Sequence, residues 1–122
     1  MIVVDSSGWL EFFGEGAHAN EFAGRLKQPA NVLTPTLVLY EVYKWMKRER
    51  SEEDAIAAVA TMKRTHLVEL TEEIALTAAD LSLAHRLAMA DAVMLATARK
   101  FDAELITTDS HFARIDGVTY LH

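Results

Sequence analysis

Short, wholly apolar runs alternate along the chain with longer stretches in which apolar residues recur at helical spacing. Ile2-Val3-Val4 is a run of the kind a strand covered on both faces shows, and it stops at Asp5. Ser6 and Ser7 then cap a helix expected to reach about Phe13, with Trp9, Leu10, Phe12 and Phe13 as its buried side. Gly14 and Gly16 break it, and a second short helix spans about Ala19 to Lys27, with Pro29 closing the segment. Asn31 to Thr34 reads as the second strand. Pro35 and Thr36 open a helix through about Glu49 whose apolar stripe is Leu37, Val38, Val42, Trp45 and Met46. Ser51 caps the next helix, with acids in its first turn and Lys63 and Arg64 in its last. His66 to Leu70 is the third strand, Thr71 caps a helix to about Ala84, and residues 86 to 100 read as another helix. Ala103 to Thr107 is the fourth strand, Ser110 to Ile115 one helical turn at most, and Val118 to Leu121 a last strand.

Strands alternating with helices predict an α/β fold, a mostly parallel sheet joined by right-handed crossovers with helices on both faces. No repeat, low-complexity tract or linker interrupts the pattern, and 122 residues fit one domain, residues 1–122. Trp9, Trp45 and the five methionines fall at helical spacing and read as core. The first two helices carry more apolar surface than one domain buries, and a dimer contact or a partner's groove would take the excess.

Four acids sit awkwardly in this pattern. Asp5 and Asp109 each follow an apolar strand closely, and in open parallel sheets ligands bind beyond the carboxyl ends of strands. Glu41 lies between Leu37 and Trp45 at helical spacing, and Asp91 shares a stripe with Leu87, Met94 and Leu95. Each has an ordinary reading when taken alone: Asp5 as a cap, Glu41 snorkelling at a stripe edge, Asp91 in a first helical turn that starts near Met89, Asp109 in a loop. Together they define an acidic cluster that repels itself unless divalent cations neutralise it. Hard oxygen donors without cysteine favour Mg²⁺ or Mn²⁺ over zinc, and such ions promote phosphodiester hydrolysis.

Composition narrows the reading further. The net charge of −6 argues against a broad basic surface for nucleic acid, though not against a local one. Zero cysteines exclude disulfides, thiolate zinc sites and cysteine nucleophiles. No apolar run approaches the ~20 residues of a membrane span, and no signal-like segment opens the chain, so a cytoplasmic protein is expected. The five histidines show no paired metal spacing and read as surface or packing residues. Arg86, Arg99 and Lys100 flank the helix of Asp91 as solvated ends.

Four blocks carry a resemblance: Ile2-Val3-Val4-Asp5-Ser6-Ser7, Thr36 to Tyr43 with Glu41, Ala88-Met89-Ala90-Asp91-Ala92, and Leu105-Ile106-Thr107-Thr108-Asp109-Ser110-His111-Phe112. In this order and spacing the sequence resembles PIN-domain ribonucleases over nearly its whole length, and most of all the VapC-type toxins of VapBC toxin–antitoxin pairs. The resemblance implies a three-layer α/β/α fold and a metal-dependent endoribonuclease acting on structured RNA, often tRNA. It implies that Asp5, Glu41, Asp91 and Asp109 bind Mg²⁺ or Mn²⁺ and position a water, with Ser6 and Thr107 supporting them. It further implies a homodimer and a cognate VapB-type antitoxin as partner. The alternatives are a HAD-like aspartyl-phosphate phosphatase using Asp5 as nucleophile, which usually carries a second acid where Ser7 stands here, and a non-catalytic PIN-like binding module.

Overall fold

The computed structural model describes residues 1–122. Five strands form one parallel sheet: β1 (Ile2–Val4), β2 (Val32–Pro35), β3 (His66–Val68), β4 (Glu104–Thr107) and β5 (Val118–Tyr120), in spatial order β3-β2-β1-β4-β5. Six helices flank it: α1 (Ser6–Gly14), α2 (Ala19–Arg25), α3 (Thr36–Glu49), α4 (Glu52–Met62), α5 (Glu72–His85) and α6 (Met89–Lys100). Single 3-10 turns lie at Pro29–Asn31 and Ser110–Phe112. None of the helices is long and apolar enough to cross a membrane.

The all-apolar β1 is central because it has a neighbour on each side, and its buried Val3 aligns with Leu33 of β2 and Leu105 of β4. From β1 the chain adds β2 and β3 on one side, then returns to add β4 and β5 on the other. The reversal falls between β1 and β4, and a parallel sheet opens a crevice beyond its carboxyl edge at such a point. β3 is an edge strand, and it stops at Val68 instead of continuing to Leu70 because its partner β2 ends at Pro35, which stands opposite Val68.

Helix starts follow their caps. The side chains of Asp5, Ser51 and Thr71 accept from the backbone N–H groups of Gly8, Asp54 and Ile74, each satisfying a donor that the first turn leaves free. α6 packs on β1, β2 and β4 and buries every residue from Ala92 to Ala98. α5 lies against α6, α4 against α3, and α2 against α1. The buried side chains form one cluster that joins the sheet to all six helices.

Three further expectations need correction. The helix of Asp91 begins at Met89, not at residue 86, because Arg86 closes α5 in the left-handed region with φ 56° and its N–H bonds the Ser82 carbonyl. Lys63 and Arg64 fall beyond the end of α4. Met1 and Met89 are exposed, whereas Met46, Met62, Met94 and Trp9 are buried as expected and Trp45 is half-buried. Phe12 and Phe13 stay partly buried on α1 and satisfy each other, with Phe13 stacked on Trp9 at 5.7 Å between centroids.

Candidate active site

Asp5 leaves the end of β1 as the N-cap of α1, and it is only 3% exposed. Its Oδ1 accepts from the Gly8 N–H at 2.9 Å, and the Ser7 hydroxyl lies 2.9 Å from both carboxylate oxygens. The Thr107 hydroxyl donates to Oδ2. Thr107 ends β4, the strand beside β1, so the pairing at the point of reversal sets this contact. The same hydroxyl oxygen accepts from the Asp109 N–H at 2.9 Å, which ties the fourth acid to the first.

Asp109 caps the 3-10 turn that follows, its Oδ1 accepting from the His111 N–H at 2.9 Å while His111 Nδ1 lies 3.1 Å from the same oxygen. Asp91 occupies the first turn of α6, where the helix dipole favours negative charge. Asp91, Asp109 and His111 each bring one ligand atom within 4.8 Å of the other two. Asp5 and Glu41 are outside that tight group but close enough for their charges to act on Asp91. Glu41 projects from α3, and its Oε1 is buried without a hydrogen-bond partner.

The same proximity appears in the electrostatics of the carboxyls. Burial pushes the Asp91 carboxyl up to about 6, the charges of Asp109, Asp5 and Glu41 add to it, and His111 opposes. Burial also raises Asp5, against the hydrogen bonds from Thr107, Gly8 and Ser7, with the charge of Asp109 adding. Glu41 is raised by burial, opposed by the Ser6 hydroxyl and aided by the charge of Asp5. All four predicted acids therefore meet beyond the carboxyl edge of β1 and β4.

The two serines face different acids: the Ser6 hydroxyl lowers the Glu41 carboxyl, whereas Ser7 donates to Asp5 and lies 3.2 Å from the Thr108 hydroxyl. Ser7 thus donates to Asp5 from the position where a phosphatase of the aspartyl-phosphate kind would carry its second acid. Sequence reasoning gave His111 no role, because a single histidine two residues from an acid has no metal-ligand spacing. Only the 3-10 turn brings its ring back to Asp109.

An open parallel sheet with acids from two adjacent strand ends and two covering helices gathered at its point of reversal defines an α/β protein built around an acidic cluster. The PIN domain family matches residues 2–118, and the chain belongs to that family. Solved structures share the fold. A toxin–antitoxin complex from Klebsiella pneumoniae superposes with a TM-score of 0.82 at 24% identity, covering 98% of this chain and 96% of that one. VapC20 of Mycobacterium tuberculosis, described as a sarcin-ricin loop cleaving toxin, gives 0.77 at 23% identity over 95% of both chains. VapBC2 from Rickettsia felis bound to a DNA fragment from its promoter gives 0.79 at 14% identity over 99% of this chain and 98% of that one. Among curated proteins no relative matches.

Proposed function

We propose that this single PIN domain, residues 1–122, is a metal-dependent endoribonuclease and the toxin of a type II toxin–antitoxin pair. The observation that carries the reading is the convergence of Asp5, Glu41, Asp91 and Asp109, with three of the four carboxyls raised by burial and mutual charge. Mutually repelling carboxylates gathered at one edge of the sheet fit a divalent cation, and the partnerless buried Oε1 of Glu41 supports that fit because a cation would satisfy it. Asp91 and Asp109 would hold Mg²⁺ or Mn²⁺ with Asp5 and Glu41 completing an oxygen donor set. When bound, such an ion makes water a stronger nucleophile and offsets charge on the phosphate.

The chain itself supplies position. Gly8, Ser7 and Thr107 lock the Asp5 carboxylate in one orientation, and the Asp109 N–H holds Thr107 in turn. One of the acids orients the attacking water for displacement in line with the leaving oxygen. The description of the tuberculosis toxin as cleaving the sarcin-ricin loop supports a structured RNA as substrate, and we include tRNA as that RNA and the cytoplasm as its place. Neighbours described as toxin–antitoxin and VapBC complexes support a cognate VapB-type antitoxin as partner. We extend the reading to a homodimer: α5 and α6 expose Leu76, Leu83 and Met89, and Met89 lines an apolar depression of about 280 Å³ with Leu70, Ala75, Ala78 and Val93.

The test is cleavage of tRNA and ribosomal RNA with Mg²⁺ or Mn²⁺. Chelation by EDTA, Asp5→Ala and Asp91→Ala are each expected to lower the rate by ~10²-fold or more. Cleavage that survives both the chelator and the substitutions would overturn the reading.

A further inference from the structure

A cleft of about 240 Å³ shares one wall with the acidic cluster. Ser6, Leu10, Tyr40, Glu41, Lys44 and Arg48 line it, so Glu41 faces the acids on one side and two cations on the other. Tyr40, Lys44 and Arg48 stand four residues apart along α3 and form one line on its surface. At the helical rise per residue, the backbones of Lys44 and Arg48 lie about 4.5 Å and about 10.5 Å further along the axis than that of Glu41. Lys47 pairs with Glu52 and Arg48 with Glu49, the second an exposed pair that a stronger anion can displace. Lys44 reaches only Tyr40, 3.4 Å from the hydroxyl and 5.5 Å from the ring centroid.

We propose that this cleft docks the RNA strand beside the bond to be cut, Lys44 and Arg48 holding its backbone phosphates and the 56%-exposed ring of Tyr40 meeting a base. The inference rests on the nuclease reading and assigns that site its substrate-holding side. A chain of net charge −6 repels a polyanion at long range, so phosphates reach the acids only where local cations draw them in. An exposed aromatic beside two cations is the combination that holds single-stranded nucleic acid without reading its sequence. A basic peptide would be repelled by the same pair.

Binding is measured on the Asp5→Asn protein, with a fluorescein-labelled, mixed-sequence single-stranded RNA of about 12 nucleotides. Adding Lys44→Gln with Arg48→Gln is expected to weaken binding ~10-fold and to lower the slope of log Kd against log salt by ~1.4, about 0.7 for each lost phosphate contact. Lys63→Gln with Arg64→Gln removes the same charge at the amino edge of the sheet, and is expected to change Kd less than ~2-fold. In the cutting protein, Lys44→Gln with Arg48→Gln is expected to raise KM and leave kcat within ~2-fold. All four side chains are exposed, so the variants fold, and circular dichroism checks it. RNA binding that drops equally in both double variants, or in neither, overturns the proposal. Loss of antitoxin co-purification with unchanged RNA binding would make the cleft a peptide site and overturn it as well. Because binding is read on a protein that does not cut, a failed cleavage assay overturns the nuclease reading while the binding data still decide the cleft.

Discussion

Asp91 is held between opposed influences: the dipole of α6 favours its charge, whereas burial and three neighbouring acids disfavour it. The second influence wins, since the carboxyl rises from an ordinary 3.8 to about 6. Between those values the folded metal-free protein binds more protons than the unfolded chain, so stability falls as pH rises through the window. Asp5 and Glu41, also raised, act in the same direction. Urea midpoints of the metal-free protein are expected to be higher near pH 5 than near pH 7, with Mg²⁺ or Mn²⁺ narrowing the difference. Asp91→Asn should stabilise the metal-free protein at neutral pH by about 1 kcal/mol, a figure reduced for screening of a half-exposed group, and flatten the pH profile. An unchanged profile in the variant would assign the pH dependence to other groups. The acids were legible because carboxylates on apolar stripes and after apolar strands break a local rule. His111 broke none.

At the scale of elements, α1 is joined to the sheet by close approach at Gly8. A Cβ there would lie 2.6 Å from Phe22 Cε1 and 2.7 Å from Val4 Cγ1, both on fully buried residues. Gly8→Ala is therefore expected to cost about 1–3 kcal/mol in urea denaturation despite the better helix propensity of alanine. Because the Gly8 N–H holds Asp5, cleavage should fall with it. A neutral or stabilising result would mean that α1 shifts freely. Strand and helix order followed from apolar periodicity, while the start of α6 stayed open between residue 86 and Met89. Neither glycine nor proline marks the break after α5, and Arg86 takes the left-handed position that glycine usually fills.

For the whole molecule, the covered and uncovered faces differ sharply. Helix α6 is buried along Ala92–Ala98, yet Met89 at its start is 72% exposed and Leu83 on α5 is 84% exposed. Sedimentation velocity is expected to give twice the 13.6 kDa chain mass for the parent protein and once that mass for Leu76→Lys with Leu83→Lys. The two positions are exposed in the single chain, so the variant keeps its fold. A monomeric parent would refute the dimer.

The sequence by itself determined the alternation of strands and helices, the absence of any thiol chemistry and the identity of the four odd acids, because period and composition are properties of neighbours along the chain. Tertiary structure decided where those acids meet. Only the side on which β4 joins β1 puts Thr107 against Asp5, and only the packing of α3 and α6 over that edge carries Glu41 and Asp91 to it. Strand order depends on which apolar faces find each other across a hundred residues, and no local pattern encodes that choice.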